Sequence, residues 1–387
     1  MTSFDVVIAG GGIVGSACAA ACADAGLKVA LVERDTFGSG ATAAGMGHIV
    51  VMDDSEAQFA LTRASQILWR ELSAELPPTA EYEVPGTLWV AADEEEMAEA
   101  ERKYAYLAAR EVPSRILNAR ELATLEPNLR TGLAGALLVE QDAVVYPPAV
   151  ALHLARAAER NGATLVLGRT VTGMANGTMR LDDGSEIHGP RLVNATGAWS
   201  PALTPNLPVR KRKGHLVITD RYPGFIRHQL VELGYLKSAH SIATDSVAFN
   251  VQPRKTGQIL IGSSRQYGNE STEVDQEMLA AMLQRATQYM PALATLSAIR
   301  VWTGFRAATP DKLPLIGPST VDKSMWLATG HEGLGITTAL GTAALLAAAF
   351  TGSEPVIPHE PYLPSRSAQA THPSDFPLKE QPCNGKA

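Results

Sequence analysis

Cysteine is scarce in this chain, three among 387 residues, so a disulfide framework is excluded as the source of its stability. Cys18 and Cys22 lie four apart on one expected helical face and read as small apolar packing groups; they lack the Cys-x-x-Cys spacing of a redox pair. Basic excess is missing too. With 33 Lys and Arg against 40 Asp and Glu the net charge is −7 at pH 7, which argues against nucleic acid as the main partner. The one basic cluster, Arg210–Lys213, reads as a short solvated turn. No stretch is apolar enough for a membrane span: the longest low-charge run, Gly333–Thr351, is dominated by Ala, Gly and Thr and is expected as a buried helix. No secretory leader precedes the first strand, so a cytoplasmic protein is expected, with peripheral attachment to the inner membrane through an electron acceptor left open.

What remains is a globular composition, 45% apolar and 19% charged, with length for two domains or one domain with a large insertion. Its first feature of note is DVVIAGGGIVGSACAAACADAGLKVALVERD, Asp5–Asp35. An apolar run, glycines at 10, 11, 12 and 15, an Ala-rich stretch and a second apolar run ending in Glu33 spell strand, turn, helix and strand. Gly10 allows a tight exit from the strand, Gly12 lets backbone approach a pyrophosphate, and Gly15 lets the helix pack on the sheet. The phosphates are expected over the N–H groups at the helix start near Ile13 and Val14. Glu33 is placed to accept from ribose hydroxyls, and its charge disfavours a 2′-phosphate.

Further along, Phe37–Val50 is built of small residues that let backbone lie against something flat. Helices are expected over Ser55–Leu76, Glu94–Arg110, Asn118–Glu126, Pro148–Gly162 and Asp275–Ala292. Tyr82–Asp93 reads as two short strands about a Pro-Gly turn, and Thr164–Gly189 as short strands separated by Asn-Gly and Asp-Gly turns. Pro190–Trp199 and Met325–Phe350 repeat the pattern of a buried strand running into glycine. Residues 364–387, rich in Pro, Ser, Lys and Gln, are expected as a disordered tail.

Arg306 stands out in VWTGFRAATPD. A buried guanidinium needs an anion, and its planar fork suits either a substrate carboxylate or a structural Asp or Glu distant in sequence. His48, His215, His240 and His331 are the histidines that could act as a base if the substrate were a 2-hydroxy acid. Tyr235, Tyr267, Ser263 and Ser264 are candidates to line a pocket in the strand-rich segment.

Taken together, residues 10–15 with Glu33, residues 40–48, NATGAW at 194–199, Gly304–Arg306 with Pro314–Gly317, and the Thr-Gly-His of 329–331 with its glycine loop resemble the D-amino-acid oxidase superfamily of flavoproteins. The branch is that of glycine oxidase, sarcosine oxidase and bacterial D-amino acid or hydroxyproline dehydrogenases. The resemblance runs nearly to residue 360. It implies an α/β fold: a discontinuous Rossmann-like FAD-binding domain (1–80, 141–213 and 309–363) and an α+β substrate domain (81–140 and 214–308) with a large, mainly antiparallel sheet.

The cofactor implied is FAD, with Gly10, Gly12, Ile13, Val14 and Gly15 on the pyrophosphate and Glu33 on the adenosine ribose. Arg34 and the backbone of Val171 would lie by the adenine. Ala41, Thr42, Gly45, Met46, Gly47 and His48 would run along the flavin, and Thr196 and Gly197 would close over it. His331, Glu332, Gly333, Leu334, Gly335, Ile336 and Thr337 would stabilise negative charge on the reduced ring from a helix N-terminus. Arg306 would clamp the carboxylate of a small amino or imino acid, with Tyr267, Ser264 and His48 beside it. No acid or base residue is implied, and no metal. The stretches 213–219 and 258–268 look most like D-hydroxyproline dehydrogenases and their relatives in hydrogen cyanide synthase and opine oxidase, some of them multi-subunit. Hence cis-4-hydroxy-D-proline is the expected substrate, and oxygen, a quinone or a partner subunit the expected electron acceptor. A glycine or sarcosine oxidase, a 2-hydroxy-acid dehydrogenase and a flavin subunit of a larger dehydrogenase are the alternatives.

Overall fold

The structure, a computed structural model, describes residues 3–234 and 245–369. Two large sheets organise it. The first has six strands in the order Leu315–Pro318, Met325–Thr329, Leu192–Asn194, Val6–Ala9, Val29–Glu33 and Thr164–Leu167. All its neighbours are parallel except the outer pair Leu315–Pro318 and Met325–Thr329. Val6–Ala9 and Val29–Glu33 are buried throughout, as continuous apolar runs are when both faces of a parallel sheet are covered. Helices Ile13–Asp24, Pro147–Arg160 and Gly335–Thr351 pack together over one face, where Cys18 and Cys22 join the core. Burial pushes both thiols up, that of Cys22 to about 12, so they serve as apolar filler. The other face meets Met174, Met179 and Leu181 of a three-stranded sheet. Its Asn176-Gly177 turn has both residues at positive φ, as the Asn-Gly signal requires.

The second sheet has eight strands: Ala298–Ala308, Arg210–Thr219, Ile259–Arg265, Ser246–Pro253, Gln229–Glu232, Thr87–Ala91, Gly135–Val139 and Ser114–Asn118. Only Gln229–Glu232 and Thr87–Ala91 run parallel. One part packs on helix Gln276–Tyr289, where Phe249 and Tyr289 stack with centroids 4.7 Å apart. Helix Glu94–Ala108 covers another part beside the thiol-free cluster of Trp89, Leu137 and Val231.

Several expectations shift. Arg210–Lys213 is the start of the ten-residue strand Arg210–Thr219, spanning residue 213, where the sequence reading put a boundary. Arg210 is exposed and Lys211 partly so, but Arg212 and Lys213 are buried, Lys213 donating its ammonium to the Glu273 carbonyl, so the second half of the run belongs to the interior because each of its cations finds an acceptor. Tyr82–Asp93 holds one strand, Thr87–Ala91, and an isolated bridge at Glu83. The 55–76 helix spans Glu56–Leu72, capped by Ser55 Oγ accepting from Gln58 N. Pro364–Gln369 of the expected tail is a 3₁₀ turn tied down by Arg366 to Asp311, while the rest of it, with Cys383, lies outside the described residues. No helix among the described residues is long and apolar enough to cross a membrane.

The tightest packing point of the first unit is Gly15, where a Cβ would lie 1.8 Å from the Gly10 carbonyl oxygen. Gly15→Ala should therefore push the first helix off the sheet, costing about 1–3 kcal/mol of stability together with retained cofactor. Thermal unfolding and visible absorbance of the purified variant check both.

Candidate active site

A continuous cavity of about 530 Å³ runs along the C-terminal ends of the parallel strands and on to the face of the eight-stranded sheet. At one end lie Gly10, Gly12, Ile13 and Val14. Helix Ile13–Asp24 has no side-chain cap at Gly12, so its first-turn N–H groups are offered to an anion, apart from that of Ile13, which donates to Thr42 Oγ1 at 3.0 Å. Glu33, buried beside them, accepts from Gly11 N at 2.6 Å and Asp35 N at 2.8 Å. The carboxylate thus shapes the glycine loop with some lone pairs and faces the cavity with others. Arg34 is exposed, paired with Asp35 at the rim, and Val171 lines the wall nearby.

The middle of the cavity is backbone. Ala41, Thr42 and Gly45–His48 line it on one side, Thr196 and Gly197 on another. Gly47 sits at φ +101° with its Cα against the Val145 carbonyl, so the segment lies flat. Asn194 fixes the NATGAW turn by accepting from Thr196 N and Oγ1 and donating to the Ser200 carbonyl. Opposite, helix Gly335–Thr351 begins with no side-chain cap. Thr337 binds its N-terminus to the flavin-side strand, donating to the His48 carbonyl at 2.8 Å and accepting from Val50 N at 3.3 Å, while Trp69 Nε1 donates to the Thr337 carbonyl. Two uncapped helix starts facing one cavity, with glycines where side chains would fill it, fit a dinucleotide with a flat ring. Gly15 and Thr337 support that cradle from behind and do not line it.

The remaining wall belongs to the eight-stranded sheet. Arg306 enters the cavity from Ala298–Ala308 and lies across Gly214 of the next strand, where a Cβ would stand 2.5 Å from its Nη1. That nitrogen donates to the Ser264 carbonyl at 2.9 Å, two strands away. Gly214 faces Gly304 in register, so the guanidinium crosses a gap in the side-chain layer. Arg212, opposite Arg306, pairs with Glu332, both nearly buried. Glu332 is held at φ +56° with its N–H on the Ala307 carbonyl.

Two expected pocket residues are placed elsewhere. Ser264 points to the far side of its strand, accepting from His215 N at 2.9 Å and bonding His215 Nδ1. Side chains alternate along a strand, so its neighbours Ser263 and Arg265 face the cavity instead. Tyr267 lies beyond the strand end and accepts from Arg212 Nη1 at 3.3 Å. Gln229 and Asn250, which sequence reading missed, also line the cavity. They are neutral residues in strands, and only the sheet register gathers them. Tyr235 and His240 lie outside the described residues.

The histidines sort by environment. His215 Nε2 accepts from Asp275 N, and burial, with Lys213, lowers its pKa. His331 Nε2 bonds Thr342 Oγ1, and burial lowers it to about 3. His48, in the cavity, is lowered to about 3 by burial and by the Arg306 charge. All three are neutral rings at physiological pH.

The FAD dependent oxidoreductase family model, DAO, matches residues 5–349. Among curated relatives, glycine oxidase of Pseudomonas aeruginosa is 31% identical, over 93% of this chain and 98% of its own. Hydrogen cyanide synthase subunit HcnC of the same organism is 28% identical, over 89% and 91%. The crystal structure of glycine oxidase from Geobacillus kaustophilus superposes with a TM-score of 0.84 at 26% identity, covering 95% of this chain and 99% of that one.

The neutral histidines carry a sign. Because the folded His331 pKa of about 3 lies below the ordinary 6.5, its contribution is intact above pH 6.5 and is lost as pH falls and the unfolded chain takes up the proton. The stability difference between wild type and His331→Gln should shrink by up to about 1.4 kcal/mol per pH unit below 6.5. Urea unfolding at pH 7 and pH 5 measures it, with other titrating groups, such as Asp142 raised to about 7, common to both proteins.

Proposed function

The chain belongs to the DAO family of FAD dependent oxidoreductases, and from that premise we propose that it oxidises a small D-amino or cyclic imino acid, with cis-4-hydroxy-D-proline the first candidate. The observation that carries this reading is Arg306, a guanidinium laid across Gly214 inside the cavity. The fork presents donors in one plane and matches a carboxylate bidentately. FAD, once bound, supplies the acceptor for a hydride leaving the substrate α-carbon as the amine lone pair closes a C=N bond.

The chain's own residues hold and exclude. Arg306 anchors the carboxylate, and Met46 is braced by Gln252 Nε2 donating to its carbonyl at 2.6 Å, which keeps the flavin-side segment in place. The first-turn N–H groups at Gly335 and Ile336 provide a positive end where negative charge develops. No side chain need remove a proton if the amine arrives neutral, so turnover is expected to rise with pH toward the bound amine's pKa. The imine product hydrolyses in water, or persists if cyclic.

A 2-hydroxy acid would need a base on its O–H. His215 and His331 are engaged in the hydrogen bonds described above, and His48 takes the Gln229 amide on Nδ1 so that its free nitrogen carries the proton, which supports the amine instead. The relative that is a hydrogen cyanide synthase subunit supports a second reading of the electron path: the acceptor is a partner chain rather than oxygen or a quinone.

The visible spectrum of the purified protein, recorded without oxygen, should bleach within seconds of adding cis-4-hydroxy-D-proline. A yellow protein that stays yellow with this compound, glycine, sarcosine and other D-amino acids alike, alone and with its partner chains, would refute amine oxidation. Arg306→Ala should keep FAD and lose several kcal/mol of apparent substrate binding, on the order of 100-fold or more in kcat/KM, as truncation of a charged hydrogen-bond partner does. Unchanged kinetics would remove Arg306 from the site.

A further inference from the structure

The cavity wall next to Arg306 carries more hydrogen-bonding capacity than holding a carboxylate and an amine requires. Gln229 Oε1, Asn250 Oδ1, Ser263 Oγ and His48 Nε2 are buried and have no hydrogen-bond partner among the described residues. Gln229, Asn250 and Ser263 are 1%, 9% and 4% exposed, and all four residues line the cavity that Arg306 enters. Register makes them neighbours. Asn250 faces Val231 on one side and Gly262 on the other, the register shifts beyond that pair, and Ser263, at the shift, lines the same cavity. Gln229 lies two residues before Val231 and so shares its face. His48 bonds Gln229 through Nδ1. Three adjacent strands and the flavin-side strand thus converge on one patch of neutral polar atoms.

The chemistry of the patch selects what meets it. The Gln229 amide nitrogen faces His48 Nδ1, which therefore accepts, leaving the proton of the neutral ring on Nε2. The patch then offers one ring donor, two amide oxygens as acceptors, and a serine hydroxyl that does either. A second carboxylate would leave both amide oxygens facing negative charge. The neutral amine of a cyclic imino acid has a single N–H, which serves one oxygen, and its lone pair is needed to close the C=N bond, so His48 Nε2 is left unmet. A hydroxyl donates to an amide oxygen and accepts from His48 at once.

We propose that Gln229, Asn250 and Ser263, with His48, form a subsite for a hydroxyl that the substrate carries away from its carboxylate, so that the enzyme selects hydroxylated amino or cyclic imino acids over their deoxy counterparts. This rests on the reading of Arg306 as the carboxylate anchor. A site built to hydrogen-bond a substrate hydroxyl rejects the analogue lacking it, because its own buried groups are then left unpaired.

The test pairs substrates with non-reacting ligands. Anaerobic flavin reduction is followed with D-proline and cis-4-hydroxy-D-proline, and flavin spectral shifts are titrated with tetrahydrofuran-2-carboxylate and its 4-hydroxy derivative. Wild type, Asn250→Leu and Ser263→Ala are compared. The expected wild-type preference for the hydroxylated member is about 100-fold or more in each pair. It should fall to about tenfold or less in Asn250→Leu, and part way in Ser263→Ala, with the flavin spectrum reporting that each variant is folded and loaded. Reduction of both amines by wild type without preference would overturn the subsite and leave amine oxidation standing. Failure of both amines, with the hydroxylated ring carboxylate still favoured through Asn250, would sink amine oxidation and keep the subsite. Failure of both amines with no preference among the ring carboxylates would remove both.

Discussion

Arg306 lying over Gly214 is the contact on which the half of the cavity lined by the eight-stranded sheet depends. A guanidinium can occupy that position only because two glycines, Gly214 and Gly304, stand opposite each other in register and leave the sheet bare. On Gly304 the Ala44 methyl closes in, a Cβ there falling 2.4 Å from it, so the same gap that admits the arginine admits the flavin-side segment. Arg306 and the flavin-side segment are brought together by the absence of side chains. Any residue larger than glycine at either position would separate them.

Charge in this wall is arranged in pairs across strands. Arg212 and Arg306 face each other, an unfavourable juxtaposition of like charges. Glu332, reaching in from the glycine loop in a left-handed conformation, pairs with Arg212 and offsets that repulsion. The pairing also ties the loop ahead of helix Gly335–Thr351 to the eight-stranded sheet, as its backbone bond to Ala307 does. The loop expected to serve the cofactor therefore contributes to both halves of the cavity.

How much of this could be read beforehand follows from the range over which each signal acts. Gly10–Gly15 with Glu33, the NATGAW turn and the late glycine loop are local patterns, and each turn geometry is written within a few residues. That Arg306 would stand in a cavity was legible, because a lone cation among apolar and small residues is out of place in a core. Ser264 was misplaced because strand alternation has no absolute phase until the sheet is assembled, and a shift of one residue exchanges faces. Gln229 and Asn250 gave no signal at all: a neutral amide in a strand is ordinary until three strands put it beside others. Arg212 and Lys213 were misread as solvated because their acceptors, the Glu332 carboxylate and the Glu273 carbonyl, are each more than fifty residues away.

The two cysteines of the first helix have a use their chemistry alone would not suggest. They sit in the core behind the Gly10–Gly15 turn, fully buried and kept as thiols. A thiol reagent can reach them only when the helix leaves the sheet, so their modification rate counts local openings of the dinucleotide unit. The chain carries its own clock for the motion by which its cofactor could be gained or lost.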